Sequence, residues 1–239
     1  MTKIRFDEIQ AGYGNLVITY DATLSVETGQ IVCIVGPNGS GKSTLIKCLF
    51  GMSRIFSGKV YVDGEDLNGK SPRYVVGKRH VAYVPQVGNV FPSLSIDDNL
   101  RICALAAGNA NREEDKHKAL ELFPILKERK SQRVSTLSGG ERQMVAVSMA
   151  ITAGANALVL DEPTAGLAPR AAVKLIGSLA ALTENGFTIL LVEQNAKSAL
   201  EIADKAAVMV SGRLIYEGDP DTLLSGEELG HLFMMGKSN

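Results

Sequence analysis

Short apolar runs recur along the chain, separated by glycine-rich turns and by stretches of helical period. Ile31-Val32-Cys33-Ile34-Val35, Val81-Ala82-Tyr83-Val84, Ala157-Leu158-Val159-Leu160, Phe187-Thr188-Ile189-Leu190-Leu191-Val192 and Ala207-Val208-Met209-Val210 lack the polar alternation of a half-exposed strand. They read as strands buried on both faces. Thr44 to Phe50 reads as a helix closed by Gly51. Ser95, followed by Asp97 and Asp98, opens a helix that runs to about Ala107. Asn111 to Asp115 opens another, interrupted at Pro124, and Pro169 opens one that stops at Asn185-Gly186. Buried strands alternating with helices predict an α/β fold with a mainly parallel sheet covered on both faces.

The two ends of the chain are patterned differently. Lys3 to Phe6, Val17 to Tyr20 and Leu24 to Val26 are short and alternating, which predicts an antiparallel β layer with one wetter face. Gly58 to Gly64 reads as a strand entering an Asp-Gly turn. Past Val210 a Ser211-Gly212 turn leads to Arg213-Leu214-Ile215-Tyr216 and a helical tail. Between Val87 and Val145 the pattern is helical. The expected organisation is a core of residues 1–86 and 146–239 interrupted by a helical subdomain, 87–145.

Composition narrows the class. With 239 residues, 45% apolar and 21% charged, the chain can bury a large core. Its 25 basic and 26 acidic residues leave a formal charge of −1, so no global field favours nucleic acid. Cys33, Cys48 and Cys103 lack metal-ligand spacing and are expected as reduced thiols. The N-terminus has no hydrophobic signal region, and no run is long and apolar enough to span a bilayer.

Chemistry enters at Gly36-Pro37-Asn38-Gly39-Ser40-Gly41-Lys42-Ser43-Thr44, which fits the phosphate-loop pattern G-x-x-x-x-G-K-[ST] between a buried strand and a helix. Glycines let backbone N–H groups turn inward around an anion, and the helix N-terminus adds partial positive charge. Lys42 then reaches the terminal phosphates and the Ser43 hydroxyl is placed to ligand Mg²⁺. Asp161 and Glu162 follow a buried strand, at the sheet edge where α/β proteins bind ligands. Adjacent strand residues point to opposite sides, so one can hold Mg²⁺ while the other orients and deprotonates an attacking water. Leu137-Ser138-Gly139-Gly140-Glu141-Arg142-Gln143 joins a helix-capping serine to two glycines, a second anion site. Tyr13, flanked by Gly12 and Gly14, is a candidate ring for stacking on an adenine base.

In this order the motifs resemble the ATP-binding subunits of ABC transporters over essentially the whole chain. Gly36 to Thr44 match the family's Walker A loop, Gln86 its Q-loop, Leu137 to Gln143 its signature and Leu158 to Asp161 its Walker B strand. Glu162 stands as the catalytic carboxylate, Ala165-Gly166-Leu167-Ala168 in the D-loop position and Tyr13 in that of the adenine-stacking aromatic. The resemblance implies ATP and Mg²⁺ as cofactors. It implies Ser43, Gln86 and Asp161 at the metal, and Lys42, Gln86, Glu162 and Gln194 in catalysis. It also implies a head-to-tail dimer, each ATP lying on one chain's Walker A loop and under Ser138, Gly139 and Gly140 of the other. The family usually has histidine after the last core strand; here Gln194 takes that place, an amide that cannot become an imidazolium.

Glu193-Gln194-Asn195, the Gly166-Leu167-Ala168-Pro169 run and the Asn89 to Ser95 loop are similar to the second ATP-binding subunit of branched-chain amino-acid importers, whose relatives handle urea and other amides. The implied partners are a second ATP-binding subunit (the same chain or a sister), two membrane permeases and an external solute-binding protein, with no nucleic acid. The implied location is peripheral, on the cytoplasmic face of the inner or plasma membrane. Gln86 to Ser95, with Phe91 and Leu94 as apolar anchors, is the expected link to a permease. The lipid or lipopolysaccharide exporter subunits share every catalytic motif and are the alternative. A DNA-repair or chromosome-structuring ATPase would carry a long coiled coil between Lys42 and Ser138, where no sustained heptads occur.

Overall fold

The chain opens with a hairpin, β1 (Ile4–Tyr13) and β2 (Leu16–Val26), turned at Gly14-Asn15. The structure, a computed structural model, describes residues 2–224 and 227–235. The two strands expected over 17–20 and 24–26 are one continuous strand, bent rather than broken. Asp21 takes a left-handed φ of 49° there, and its Oδ1 accepts Gln10 Nε2 at 2.8 Å. The sheet is completed by β4 (Arg54–Val62) and β5 (Glu65–Asp66), after β3 (Ile31–Val35) and α1 (Lys42–Cys48) have intervened. Its order β2-β1-β4-β5 is antiparallel throughout.

Next comes α2 (Pro72–Arg79), which the sequence pattern does not announce: it buries only Val75, too little to show a helical period. Its start is nevertheless well formed, with the Ser71 hydroxyl accepting the Tyr74 N–H and Pro72 at the first turn. The second sheet is built from β3, β6 (Val81–Val84), β7 (Ala157–Asp161), β8 (Thr188–Glu193), β9 (Lys205–Val210) and β10 (Arg213–Gly218). Its order is β10-β9-β3-β8-β7-β6; every pair is parallel except the terminal β9–β10 hairpin. The mainly parallel α/β core with an added antiparallel layer is therefore the observed fold.

The unbroken apolar runs follow from this layering. Ile31, Cys33 and Val35 of β3 face one buried cluster, and Val32 and Ile34 face the other. The second cluster is closed by α1 and the antiparallel sheet. The first is closed by α3 (Ile96–Ala107), α6 (Gly139–Thr152), α7 (Pro169–Glu184) and α8 (Ala196–Leu200), with α4 (Arg112–Leu122) and α5 (Pro124–Glu128) at its margin. Ser95 caps α3 as expected, and Pro124 separates α4 from α5. α6 runs unbroken across the 145/146 division, buried almost throughout, so the helical part joins the core through a shared helix and not through a linker. The last described elements are α9 (Pro220–Leu224) and α10 (Glu227–Met235). Cys33 and Cys48 are buried and Cys103 half-buried, all free; burial pushes the Cys48 thiol up to about 12. Among the described residues no helix is long and apolar enough to cross a membrane.

Candidate functional site

Parallel pairing sets three strand ends level. Val35 pairs with Glu193 and Asp161 with Val192, so the residues that follow β3, β7 and β8 emerge at one edge. The loop Gly36 to Ser43 leaves β3 there. Its shape requires glycine at two points. A Cβ on Gly36 would stand 2.1 Å from the Met209 carbonyl oxygen, and Gly41 caps α1 at φ 101°, closed to L side chains. Pro37 O accepts the Ser40 N–H, Asn38 and Gly39 form the exposed tip, and Thr44 is buried in the first turn of α1.

Lys42 is 3% exposed and lies along the loop's inner face. Its Nζ donates to Gly36 O at 2.8 Å and Pro37 O at 3.0 Å, and stands 3.6 Å from Glu162 Oε1. Burial lowers the lysine's pKa, opposed by the negative field of Glu162, Asp161 and Glu193. Ser43 Oγ donates to Asp161 Oδ1 at 2.7 Å, and Tyr83 Oη donates to Asp161 Oδ2 at 2.7 Å. Burial and the adjacent Asp161 hold the tyrosine's proton on, raising its pKa.

Glu162 diverges from Asp161 for a reason other than strand alternation. β7 ends at Asp161, and Glu162 has a φ of 46°, so a left-handed step, not the pleat, turns its carboxylate toward Lys42. Gln86 Nε2 donates to Glu162 Oε2 at 3.2 Å. Gln86 thus meets the Glu162 carboxylate, whereas Ser43 and Asp161 meet each other. Gln194 borders a cleft of about 460 Å³ with Glu162, Thr164, Gly166 and Asn195.

Two groups of expected residues make no hydrogen bond, among the described residues, to this centre. Tyr13 is exposed at the end of β1, opposite Leu16. Ser138 caps α6: its Oγ accepts the Glu141 N–H at 3.3 Å, and its own N–H donates to Glu141 Oε2 at 2.8 Å. Gly140 packs against Ala171, and among the described residues no hydrogen bond links Ser138, Gly139 or Gly140 to the phosphate loop.

Tyr83, Thr164 and Glu193 belong to the site and were not singled out in the sequence. Glu193 ends β8, 2% exposed, and its Oε1 accepts the Thr164 N–H at 3.0 Å and the Thr164 hydroxyl at 2.7 Å. Burial pushes its pKa up against those hydrogen bonds. The signal for it was the one that marked Asp161, a carboxylate ending an apolar run.

The donors fit a nucleotide with Mg²⁺. Ser40 Oγ is buried without a hydrogen-bond partner inside the loop. Ser43, Asp161 and the Gln86 amide are hard oxygen donors, too few for an all-protein cage and suited to an ion that keeps water and phosphate ligands.

Comparison with known proteins gives a consistent result. The model for the family "ABC transporter" matches residues 20–165. The chain is 40% identical to a probable branched-chain amino acid transport ATP-binding protein LivF of Archaeoglobus fulgidus, covering 97% of this chain and 98% of the relative. It is 36% identical to the high-affinity branched-chain amino acid transport ATP-binding protein BraG of Pseudomonas aeruginosa, over 98% and 100%. It is 29% identical to the lipopolysaccharide export system ATP-binding protein LptB of Escherichia coli, over 98% of each. Among solved structures it is similar to a nucleotide-free ATP-binding cassette from an ABC transporter (TM-score 0.86, 25% identity, 98% and 99% covered). It is also similar to the ADP conformation of the cassette MJ1267 (TM-score 0.84, 26% identity, the same coverage).

Proposed function

The chain belongs to the ABC transporter family as an ATP-hydrolysing subunit, and from that premise we propose that it powers import of branched-chain amino acids or related amides. The hydrolytic role rests on one observation, the Glu162 carboxylate held between the Lys42 ammonium and the Gln86 amide. The import role rests on full-length similarity at 40% and 36% to branched-chain amino acid transport proteins, against 29% to the lipopolysaccharide export protein.

Each residue then has a task. Lys42 transfers its hydrogen bonds from the Gly36 and Pro37 carbonyls to the terminal phosphates, with the loop's backbone N–H groups around them. Ser43 and Asp161, with Gln86, would hold Mg²⁺, and Tyr83 fixes the Asp161 carboxylate plane. When bound, Mg²⁺ would supply charge neutralisation on the phosphates. Glu162 accepts a hydrogen bond from the attacking water and takes its proton, while Gln86 and Gln194 orient that water and the γ-phosphate oxygens through their amides. Tyr13 stacks on the adenine.

Ser138, Gly139 and Gly140 face the nucleotide of a second ATP-binding subunit. The lack, among the described residues, of a hydrogen bond from them to their own loop and the glycine-opened start of α6 support that head-to-tail arrangement. ATP binding joins the two subunits and hydrolysis releases them. The core is 1–86 and 146–239 and the helical subdomain 87–145, and the Gln86 to Ser95 segment that joins them carries the nucleotide's state to a permease. Beside that segment lies an apolar groove of about 390 Å³ between β6, α3 and α6, bordered by Pro85 and Asn89, a seat for a permease at the cytoplasmic membrane face. The permeases and a solute-binding protein choose the substrate.

The test is light scattering of Glu162→Gln on a sizing column, with and without ATP and Mg²⁺. The expected result is a dimer that appears only with nucleotide and does not turn over. A variant that hydrolyses ATP at the native rate rejects the base assignment. Uptake of labelled leucine lost on deletion of the gene supports import, whereas an intact uptake with a defective lipid surface favours the exporter reading.

A further inference from the structure

Glu162 is a residue with a side chain in a conformation that favours glycine. Its φ of 46° is disfavoured for any L-residue, and such a backbone persists only where its surroundings over-determine it. The surroundings here are the last two residues of β8. The Val192 carbonyl accepts the Glu162 N–H at 2.9 Å. One residue further along, Glu193 Oε1 accepts both the N–H and the hydroxyl of Thr164. Pro163 joins the two anchored residues through a fixed φ. The turn is completed by the Ala165 N–H on Glu162 O at 3.1 Å and the Leu167 N–H on Thr164 O at 3.1 Å.

Glu193 is an uncommon choice for the end of a buried strand. It is 2% exposed, and among the described residues it has no ion-pair partner. Its near neighbours in charge are Glu162, which repels it, and Lys42, whose ammonium is given to Glu162 and the loop carbonyls. A buried carboxylate without a cation is a liability unless its hydrogen bonds do something a smaller residue cannot. What they do is fasten the residue after Pro163 at two points, its N–H and its hydroxyl.

We propose that Glu193 is a positioning residue for hydrolysis: its carboxylate ties the Thr164 turn to β8 and thereby holds Glu162 in its left-handed conformation, aimed between Lys42 and Gln86. The inference rests on the reading of Glu162 as the base. Glu193 is buried and its carboxylate bonds Thr164, not the phosphate loop, so its removal is expected to leave ATP binding alone and to disturb the aim of Glu162.

Steady-state ATPase kinetics of the full chain test this with Glu193→Ala, Glu193→Gln, Thr164→Val, Thr164→Ser and the Glu162→Gln/Glu193→Ala pair. Glu193→Ala lowers kcat by roughly 30-fold with the KM for ATP within about twofold, the pattern of a misplaced catalytic group. Glu193→Gln keeps an oxygen that can accept both Thr164 donors and recovers kcat to within about threefold of native. Thr164→Val, which loses only the hydroxyl, falls between, and Thr164→Ser matches the native rate. Glu193→Ala adds no loss to Glu162→Gln, because it acts through that residue.

A Glu193→Gln variant as slow as Glu193→Ala overturns the proposal by making charge the cause. So does a change confined to KM, or losses that multiply in the pair. Should Glu193→Ala fail to fold, equal native rates in Thr164→Val and Thr164→Ser overturn it as well. An inactive Glu162→Gln beside a fully active Glu193→Ala removes the positioning role alone, whereas an active Glu162→Gln removes the base and the positioning role together.

Discussion

The Ser43 hydroxyl donates to Asp161 Oδ1 at 2.7 Å, joining the first turn of α1 to the end of β7 across 118 residues of sequence. The second carboxylate oxygen of Asp161 is held as firmly, by Tyr83 Oη at 2.7 Å from β6. A carboxylate fixed on both oxygens has a set plane, and the face it shares with Ser43 is the one a hard cation can take. The pairing also shows how register makes a site: Ser43 and Asp161 meet because parallel pairing brings β3, β8 and β7 to the same level at their C-terminal ends.

Tyr83→Phe isolates that second hydrogen bond. The ring still packs against Phe50, whose centroid is 5.5 Å away, so the core keeps its shape. The expected result is a roughly tenfold rise in the Mg²⁺ concentration needed for half-maximal ATPase, as when an outer-sphere partner of a metal ligand is removed. Thermal unfolding is expected to show a loss of about 1 kcal/mol, the worth of one hydrogen bond to a charged acceptor less the hydroxyl's desolvation. An unchanged Mg²⁺ titration would mean that Asp161 is oriented by Ser43 alone.

The phosphate loop, the acidic strand end and the buried strands were legible because each leaves a local mark. Gly36, Gly41 and Lys42 lie within one turn of chain, and β3 must be apolar on both faces. Tyr83 was not legible as a site residue because its partner Asp161 comes from elsewhere in the sequence; Glu193 ended an apolar run as Asp161 does, but its role through Thr164 shows only in the folded pairing. The divergence of Asp161 and Glu162 was expected from strand pleating but arises from the left-handed Glu162, which no residue preference announces. Helix α2 was hidden for the opposite reason: a surface helix with one buried side chain has no period to read.

Glu193 makes stability depend on pH in a direction unlike that of most carboxylates. Burial, ahead of the Thr164 hydrogen bonds, raises its folded pKa above the reference value of 4.5. At lower pH the group is neutral in both folded and unfolded chains, and burial carries no charge penalty. As pH rises from the unfolded value through the folded one, the unfolded chain releases its proton first, so the folded state loses stability. Glu193→Gln has no proton to release. Its melting temperature is therefore expected to match the native protein near pH 4 and to exceed it near pH 8. Calorimetry at the two pH values reads the difference, and a gap that does not widen with pH would contradict it.

Phe91 is exposed although its backbone is clamped. Asn99, fully buried in α3, accepts the Phe91 N–H on Oδ1 at 2.7 Å and donates Nδ2 to the Phe91 carbonyl at 3.0 Å. A rigid loop that presents an apolar ring to solvent suits docking more than folding. Phe91→Asp is expected to leave ATPase activity of the soluble chain within about twofold and its melting temperature unchanged, since surface changes shift stability little. Transport by the assembled system should fall by roughly 10-fold or more, the size of effect expected from an anchor at an interface. Equal loss of soluble activity and transport would return Phe91 to the core.

If each nucleotide is shared between two copies, two dead variants should rescue one another. Lys42→Ala removes the ammonium that serves a chain's own loop. Gly139→Asp puts a negative charge at the start of α6, where a Cβ meets only the flexible end of Leu167 at 3.1 Å, so the fold tolerates it. Each variant alone forms dimers in which both sites carry the same defect. In a mixed dimer one site combines both defects, and the other pairs an intact phosphate loop from the Gly139→Asp chain with an intact signature from the Lys42→Ala chain. Equal mixing makes half the dimers mixed, each with one good site of two, so activity should return to roughly a quarter of native. A signature that served its own chain's nucleotide would leave the mixture as inactive as its parts, and titrating one variant against the other at constant total protein separates the two outcomes.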